Sequence, residues 1–141
     1  MIVIDANILC YYLDQSTKEH RYVKPMVDEI IGAGEKILTN TIIWMEVSHY
    51  LYKVSDMPRE ELKNKIKKLM RLSTMAIEPF DLSDLDASID ELSTSWQKPI
   101  GGRDTTIVAM MKKNHTTRIL THDKAFKTLG LEVIDPIPKG S

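Results

Sequence analysis

The chain lacks the features that would place it in several large classes. It has one cysteine, Cys10, among 141 residues, which excludes an intramolecular disulfide framework and a multi-cysteine zinc site. No apolar run approaches the roughly 18 residues needed to cross a bilayer. The opening stretch MIVIDANIL has no basic region of the secretory kind and meets Asp5 almost at once. The expectation is a cytoplasmic protein in a reducing setting, with no membrane partner. A net charge of −1 excludes a polycation drawn as a whole to nucleic acid. His20, His49, His115 and His122 show no metal-ligand spacing. No serine, cysteine or histidine stands in an obvious nucleophilic triad. There is no internal repeat, linker or low-complexity stretch.

What is present is enough for one domain with a true core: 43% of residues are hydrophobic and 28% charged. Short apolar segments at 1–4, 36–39, 75–78, 118–121 and 131–134 read as strands. None alternates cleanly, as expected of a parallel sheet covered on both faces. Longer helical patterns separate them. One follows Asp5 as far as Tyr12 or Leu13. A second spans about Lys18 to Ile31, ended by Gly32 and Gly34. A third follows Thr41, with Ile43, Val47, Leu51 and Val54 on one face. A fourth starts near Pro58, a favoured first-turn residue, with Leu62, Ile66, Leu69 and Met70 inward. A fifth is expected from Ser83, capped with Asp86 and burying Leu85, Ile89, Leu92 and Trp96. A sixth begins near Arg103, after Gly101 and Gly102, and a short one follows Asp123. Alternating β and α elements predict an α/β sandwich with right-handed crossovers. The domain is expected over 1–135, with 136–141 a loose tail.

Charge is uneven along the chain. Arg59, Lys63, Lys65, Lys67, Lys68 and Arg71 crowd one segment, and Glu78, Asp81, Asp84, Asp86, Asp90 and Glu91 the next. Each run by itself reads as a solvated helix face.

Four acids stand out because each adjoins sequence of the core-forming kind. Asp5 ends the run Met1–Ile4 and Asp123 follows Ile119–His122, so both lie at strand ends, where open α/β sheets bind ligands. Either could equally be a helix N-cap. Asp104 precedes Ile107, Val108 and Met111 at i+3, i+4 and i+7, which puts it on the apolar face of its helix. A first-turn acid suits the helix dipole, but that does not explain the face. Glu46 lies about 60° around its helix from Ile43, at the border of the buried stripe. Two carboxylates about 5 Å apart repel by roughly 3 kcal/mol at an effective dielectric near 20. A cluster of three or four therefore calls for counter-charge, which Mg²⁺ or Mn²⁺ supplies through oxygen ligands. The pattern points to metal-dependent phosphoryl-transfer chemistry.

At these residues the chain resembles the PIN domain family. The resemblance is carried by MIVIDANIL with Asp5 and Asn7, TIIWMEV with Thr41 and Glu46, GGRDTTIVAMM with Asp104, and ILTHDKAF with Thr121 and Asp123. The small size is similar to that of VapC-type toxins of prokaryotic toxin–antitoxin pairs. The resemblance implies a three-layer sandwich around a parallel five-stranded sheet of order 3-2-1-4-5. It also implies that Asp5, Glu46, Asp104 and Asp123 are catalytic and hold Mg²⁺ or Mn²⁺, Asp5 and Asp104 most directly. Asn7, Thr41 and Thr121 match polar positions that orient the acids or their waters. The implied activity is an endoribonuclease that hydrolyses an RNA phosphodiester to a 5′-phosphate and a 3′-hydroxyl. A VapB-like antitoxin and a homodimer are the implied partners. Arg103, Lys63, Lys67 and Lys18 are candidates to contact RNA. Trp44 and the tyrosines could stack on bases or simply pack.

Two other readings compete. A PIN nuclease of RNA processing would share the chemistry but not the toxin role. A phospho-accepting signalling domain would also gather acids at strand ends, but its acceptor aspartate would end the third strand, where this chain has Ile77-Glu78-Pro79-Phe80.

Overall fold

The inner strands carry aliphatic side chains at nearly every position, and that dictates the architecture. The computed structural model describes residues Met1–Ser141. Strands β1 (Ile2–Ile4), β2 (Ile37–Asn40), β3 (Met75–Glu78), β4 (Arg118–Leu120) and β5 (Glu132–Ile134) form one sheet, parallel throughout, in the order β3-β2-β1-β4-β5. Ile2, Val3 and Ile4 at its centre are fully buried, as are Ile37, Ile119 and Leu120 beside them. A sheet apolar on both faces needs cover on both. Helices supply it: α1 (Ala6–Leu13), α2 (His20–Gly32), α3 (Thr41–Val54), α4 (Arg59–Met70), α5 (Leu82–Ser95) and α6 (Gly102–Lys113). This is the expected sandwich and strand order. The order also tells against the phospho-accepting reading, because β3 lies at the sheet edge and ends in Glu78.

Local signals set most boundaries. Asn40 caps α3 by accepting from the Ile43 N–H at 2.9 Å. Pro58 stands at the cap of α4, one residue before its first turn. Lys18 falls in the turn before α2, which starts at His20 rather than Lys18 and extends through Gly32. The element after Asp123 is a 3₁₀ turn, Lys124–Leu129, closed by Gly130 at φ 71°. Past β5 the chain folds back: Ile137 is buried in the main core, and its N–H donates to Asp135 Oδ1 at 2.9 Å. At least that part of the segment expected to be loose is therefore packed.

Helix α5 departs from expectation in both its cap and its face. It begins at Leu82, capped by Asp81, whose carboxylate accepts from the Asp84 N–H while the Asp84 side chain reaches back to the Asp81 N–H, both at 3.0 Å. The capping partners are thus Asp81 and Asp84, not Ser83 and Asp86, because an aspartate outcompetes the serine for the exposed amides; the Ser83 hydroxyl itself donates to Asp81. The expected burial of Leu85, Ile89, Leu92 and Trp96 is overturned: all four are exposed, Ile89 by 56% and Trp96 by 67%. The helix instead turns Asp84, Ser88, Glu91 and Ser95 toward α6. Those serines spend their hydroxyls on carbonyls of their own helix, so a small face can approach α6 closely. Lys112–Glu91 and Lys113–Asp84 ion pairs flank the contact.

Substituting Ser88→Leu should cost about 1–3 kcal/mol by overpacking the α5–α6 contact. Ile89→Gln should stay within about 0.5 kcal/mol in dilute monomeric protein. Urea unfolding of both variants checks the orientation of α5, and the reverse ranking would refute it.

Candidate metal centre at the strand ends

The site is built where the backbone ladder of the central strands runs out. The Asp5 N–H still donates to the Leu120 carbonyl at 3.0 Å, so Asp5 is the last residue β1 holds in register. It then caps α1, its Oδ1 accepting from the Ala6 N–H at 2.7 Å. One strand over, the Thr121 N–H donates to the Ile134 carbonyl at 3.0 Å. The Thr121 hydroxyl donates to Asp5 Oδ2 at 2.8 Å and accepts from the Asp123 N–H at 3.0 Å. Both oxygens of a fully buried carboxylate are thereby aimed and satisfied.

Two more acids arrive from helices. Asp104, on the first turn of α6, is buried, and its Oδ2 accepts from the Gly101 N–H at 3.1 Å. Glu46, on the second turn of α3, is half-buried. Arg103 joins the three. Its Nε lies 2.9 Å from Glu46 Oε2, its Nη2 3.2 Å from Asp104 Oδ1, and its Nη1 3.6 Å from Asp5 Oδ1. Three carboxylates from three elements thus converge on one cation, and against a single guanidinium they leave a net charge of −2.

Protonation equilibria follow from this crowding. Burial pushes the Asp5 carboxyl above its ordinary 3.8, against the hydrogen bonds of Thr121 and Ala6 and the charge of Arg103. Burial also raises Glu46 from 4.5; Arg103 opposes the rise, and Asp5 and Asp104 add to it. Cys10, behind the site, is pushed up to about 12 by burial and then by Glu46 and Asp5. It is therefore no thiolate nucleophile.

As the side chains stand, no three of them are spaced as ligands of one ion, and the guanidinium lies among them. The chemistry of the donor set nevertheless fits a divalent metal: hard carboxylate oxygens, converging and under-neutralised. Beside Glu46, a groove of about 210 Å³ is lined by Ala6, Asn7, Cys10, Tyr11 and Tyr50. The sequence offered the tyrosines together, for stacking or packing, without placing Tyr11 and Tyr50 beside the acids. The signal that could have placed them is their spacing from Asp5 and Glu46 along α1 and α3.

The sequence profile of the PIN domain family matches residues 2–131. The chain belongs to the PIN domain family. No curated protein matches it in sequence. Among solved structures it is similar to the Mycobacterium tuberculosis toxin VapC20, described as cleaving the sarcin–ricin loop, with a TM-score of 0.76 at 14% identity over 94% of this chain and 98% of that one. It is also similar to Rickettsia felis VapBC2 bound to a promoter DNA fragment, with a TM-score of 0.71 at 18% identity over 96% and 98%. A Klebsiella pneumoniae toxin–antitoxin complex matches with a TM-score of 0.66 at 19% identity over 97% and 98%. At such identities the likeness shows a shared fold.

Within this PIN domain the expected site residues divide. Asp5, Glu46 and Asp104 are brought together on Arg103. Asp123 stays apart from that cation; its Oδ1 accepts from the Ala125 N–H at 2.9 Å, capping the 3₁₀ turn, and Thr121 links it to Asp5. Asn7 Oδ1 accepts from the His122 N–H at 3.5 Å, which ties α1 to the turn after β4. Thr41 points elsewhere: its hydroxyl accepts from the Phe80 N–H at 3.1 Å, past the end of β3. Lys63 pairs with Glu60 on its own helix at 2.9 Å. Lys18 and Lys67 are exposed and form no ion pair. Of the four basic candidates only Arg103 reaches the acids. Trp44 is buried, its indole N–H donating to Thr39 Oγ1 at 2.9 Å.

Because burial raises the Asp5 pKa, its ionisation opposes folding. Stability is full below about pH 3.8 and falls as pH rises through the higher folded value. Asp5→Asn should therefore melt higher than the parent at pH 7 in chelator, with the gap closing by pH 4. Melting curves at the two pH values check this; a variant less stable than the parent at pH 7 would show that the carboxylate is net stabilising.

Proposed function

We propose that this PIN domain is a divalent-metal-dependent endoribonuclease, and that it serves as the toxin of a type II toxin–antitoxin pair. The observation that carries the chemistry is the convergence of Asp5, Glu46 and Asp104 on one cation at the ends of the central strands. No thiolate, Ser–His or Cys–His pair offers itself as an alternative nucleophile, which suits attack by water.

Asp5, Asp104 and Glu46 would hold Mg²⁺ or Mn²⁺, with Asp123 next to them through Thr121. Such an ion, when bound, would acidify water and offset negative charge at the phosphate. The chain's own contribution is alignment and proton handling. Asp5 is held by hydrogen bonds from Ala6 and Thr121, and Asp104 by hydrogen bonds from Gly101 and Arg103. Glu46 lies on the rim, partly solvated and with raised proton affinity. Its carboxylate is the one suited to accept the proton of an attacking water. The groove lined by Tyr11 and Tyr50 beside Glu46 favours the RNA reading, since aromatic side chains can stack on unpaired bases.

The toxin reading draws on the neighbours, which are toxins or toxin–antitoxin complexes. The same likeness supports a VapB-like antitoxin as partner. The apolar face of α5, with Leu82 exposed by 81%, supports a homodimer, since an apolar surface of that kind calls for cover. No helix of the chain is long and apolar enough to cross a membrane.

Incubated with a panel of tRNA and rRNA, the parent should cleave with Mg²⁺ or Mn²⁺ and stop in chelator. Asp5→Asn and Asp104→Asn should each lose more than the roughly 10–100-fold typical of a residue that only orients a ligand. Variants that cleave like the parent would remove those residues from the site. Induced expression should arrest growth only with Asp104 intact; cleavage in vitro without arrest in cells would favour RNA processing. Sedimentation should give a dimer that Trp96→Lys dissociates, and a parent monomer would remove the dimer from the reading.

A further inference from the structure

Arg103 stands where simple helix electrostatics give no reason for it. It lies on the first turn of α6, the positive end of the helix dipole, where acids are favoured and cations are not. Its guanidinium nonetheless turns inward. Each of its three nitrogens faces a different carboxylate: Nε to Glu46, Nη2 to Asp104 and Nη1 to Asp5. No other lysine, arginine or histidine pairs with any of the three acids. The side chain is 40% exposed, so it reaches the cluster from solvent and can leave by the same route. Its partners are asymmetric. The tightest contact is to rim Glu46, while the contact to buried Asp5 is the longest and falls outside hydrogen-bonding distance.

We propose that Arg103 is an exchangeable internal counter-ion: it neutralises the acids of the metal-free protein, competes with the divalent ion for the same space, and must swing out toward solvent for that ion to bind. Arg103 is in this sense a positioning residue for the three carboxylates and a brake on metal loading. Metal affinity is then set by the difference between two cations on one donor set: the guanidinium leaves the three acids at −2, and a divalent ion in its place would leave them at −1. Once displaced, the guanidinium remains beside the centre, where a phosphate would meet it.

The inference rests on the metal-site reading above, and the test separates the two. Mn²⁺ is titrated into the parent, Arg103→Gln, Arg103→Lys and Asp104→Asn, with free Mn²⁺ read by its electron paramagnetic resonance signal. Removing one positive charge about 5 Å from the ion should tighten Mn²⁺ binding by about tenfold in Arg103→Gln. Arg103→Lys should fall between the two, because an ammonium cannot bridge three carboxylates. Metal-free Arg103→Gln should also melt below the parent and gain more than the parent on adding Mn²⁺. If the parent binds Mn²⁺ and Arg103→Gln binds it no more tightly, the counter-ion role is overturned and the metal site stands. If neither binds Mn²⁺ and Asp104→Asn makes no difference, the metal site and this inference fall together.

Discussion

A sheet buried on both faces has nowhere to put charge except at its strand ends, and this constraint organises the molecule. Ile2, Val3 and Ile4 are sealed within the core, and the strands on either side are equally apolar. The first position at which β1 can carry a polar side chain with satisfied hydrogen bonds is Asp5. There the ladder bond to Leu120 meets the cap of α1 and the hydroxyl of Thr121. One carboxylate thus ends a strand, starts a helix and aims an oxygen into the site. The Asp5–Thr121 bond carries the same function across to β4 and, through Thr121, to Asp123. The centre is a by-product of how the central strands terminate.

Bringing Asp104 and Glu46 to that point is electrostatically uphill. Each pair of carboxylates about 5 Å apart repels by roughly 3 kcal/mol at an effective dielectric near 20, and burial adds to the penalty for Asp5. A fold keeps such a group only where other contacts over-determine it. Here those contacts are the rigid caps at Ala6 and Gly101 and the guanidinium of Arg103. Only one of the three negative charges is offset, by a guanidinium that the local sequence supplies, since Arg103 and Asp104 are neighbours on one helical turn. Glu46 differs from its partners because it has no backbone donor and is held on the rim by the Arg103 guanidinium.

Helix α5 shows the same physics from the opposite side. Its apolar residues recur with helical spacing, the pattern that usually marks an inward face. In this molecule the serines face inward, because a short side chain lets α5 and α6 approach and Lys112 and Lys113 find acids across the contact. The apolar stripe is left outside. Periodicity identifies a helix with two unlike faces, but which face is covered depends on what packs against it.

The sequence by itself determined the class of fold, the strand segments and the convergence of three of the four acids it singled out. These follow from local rules: apolar runs bounded by breakers, caps next to first turns, and an aspartate on the apolar face of α6. The order of the strands was legible through motif resemblance rather than periodicity, and the chemistry expected of the site rests on the same resemblance. Only tertiary structure decided that Asp5, Glu46 and Asp104 share one cation while Asp123 serves a 3₁₀ turn, that Thr41 turns to Phe80, and that Arg103 belongs to the centre. Each of those outcomes depends on the direction of a side chain relative to an element distant in sequence. Direction of that kind is set by packing and electrostatics across the whole fold, which short-range pattern does not encode.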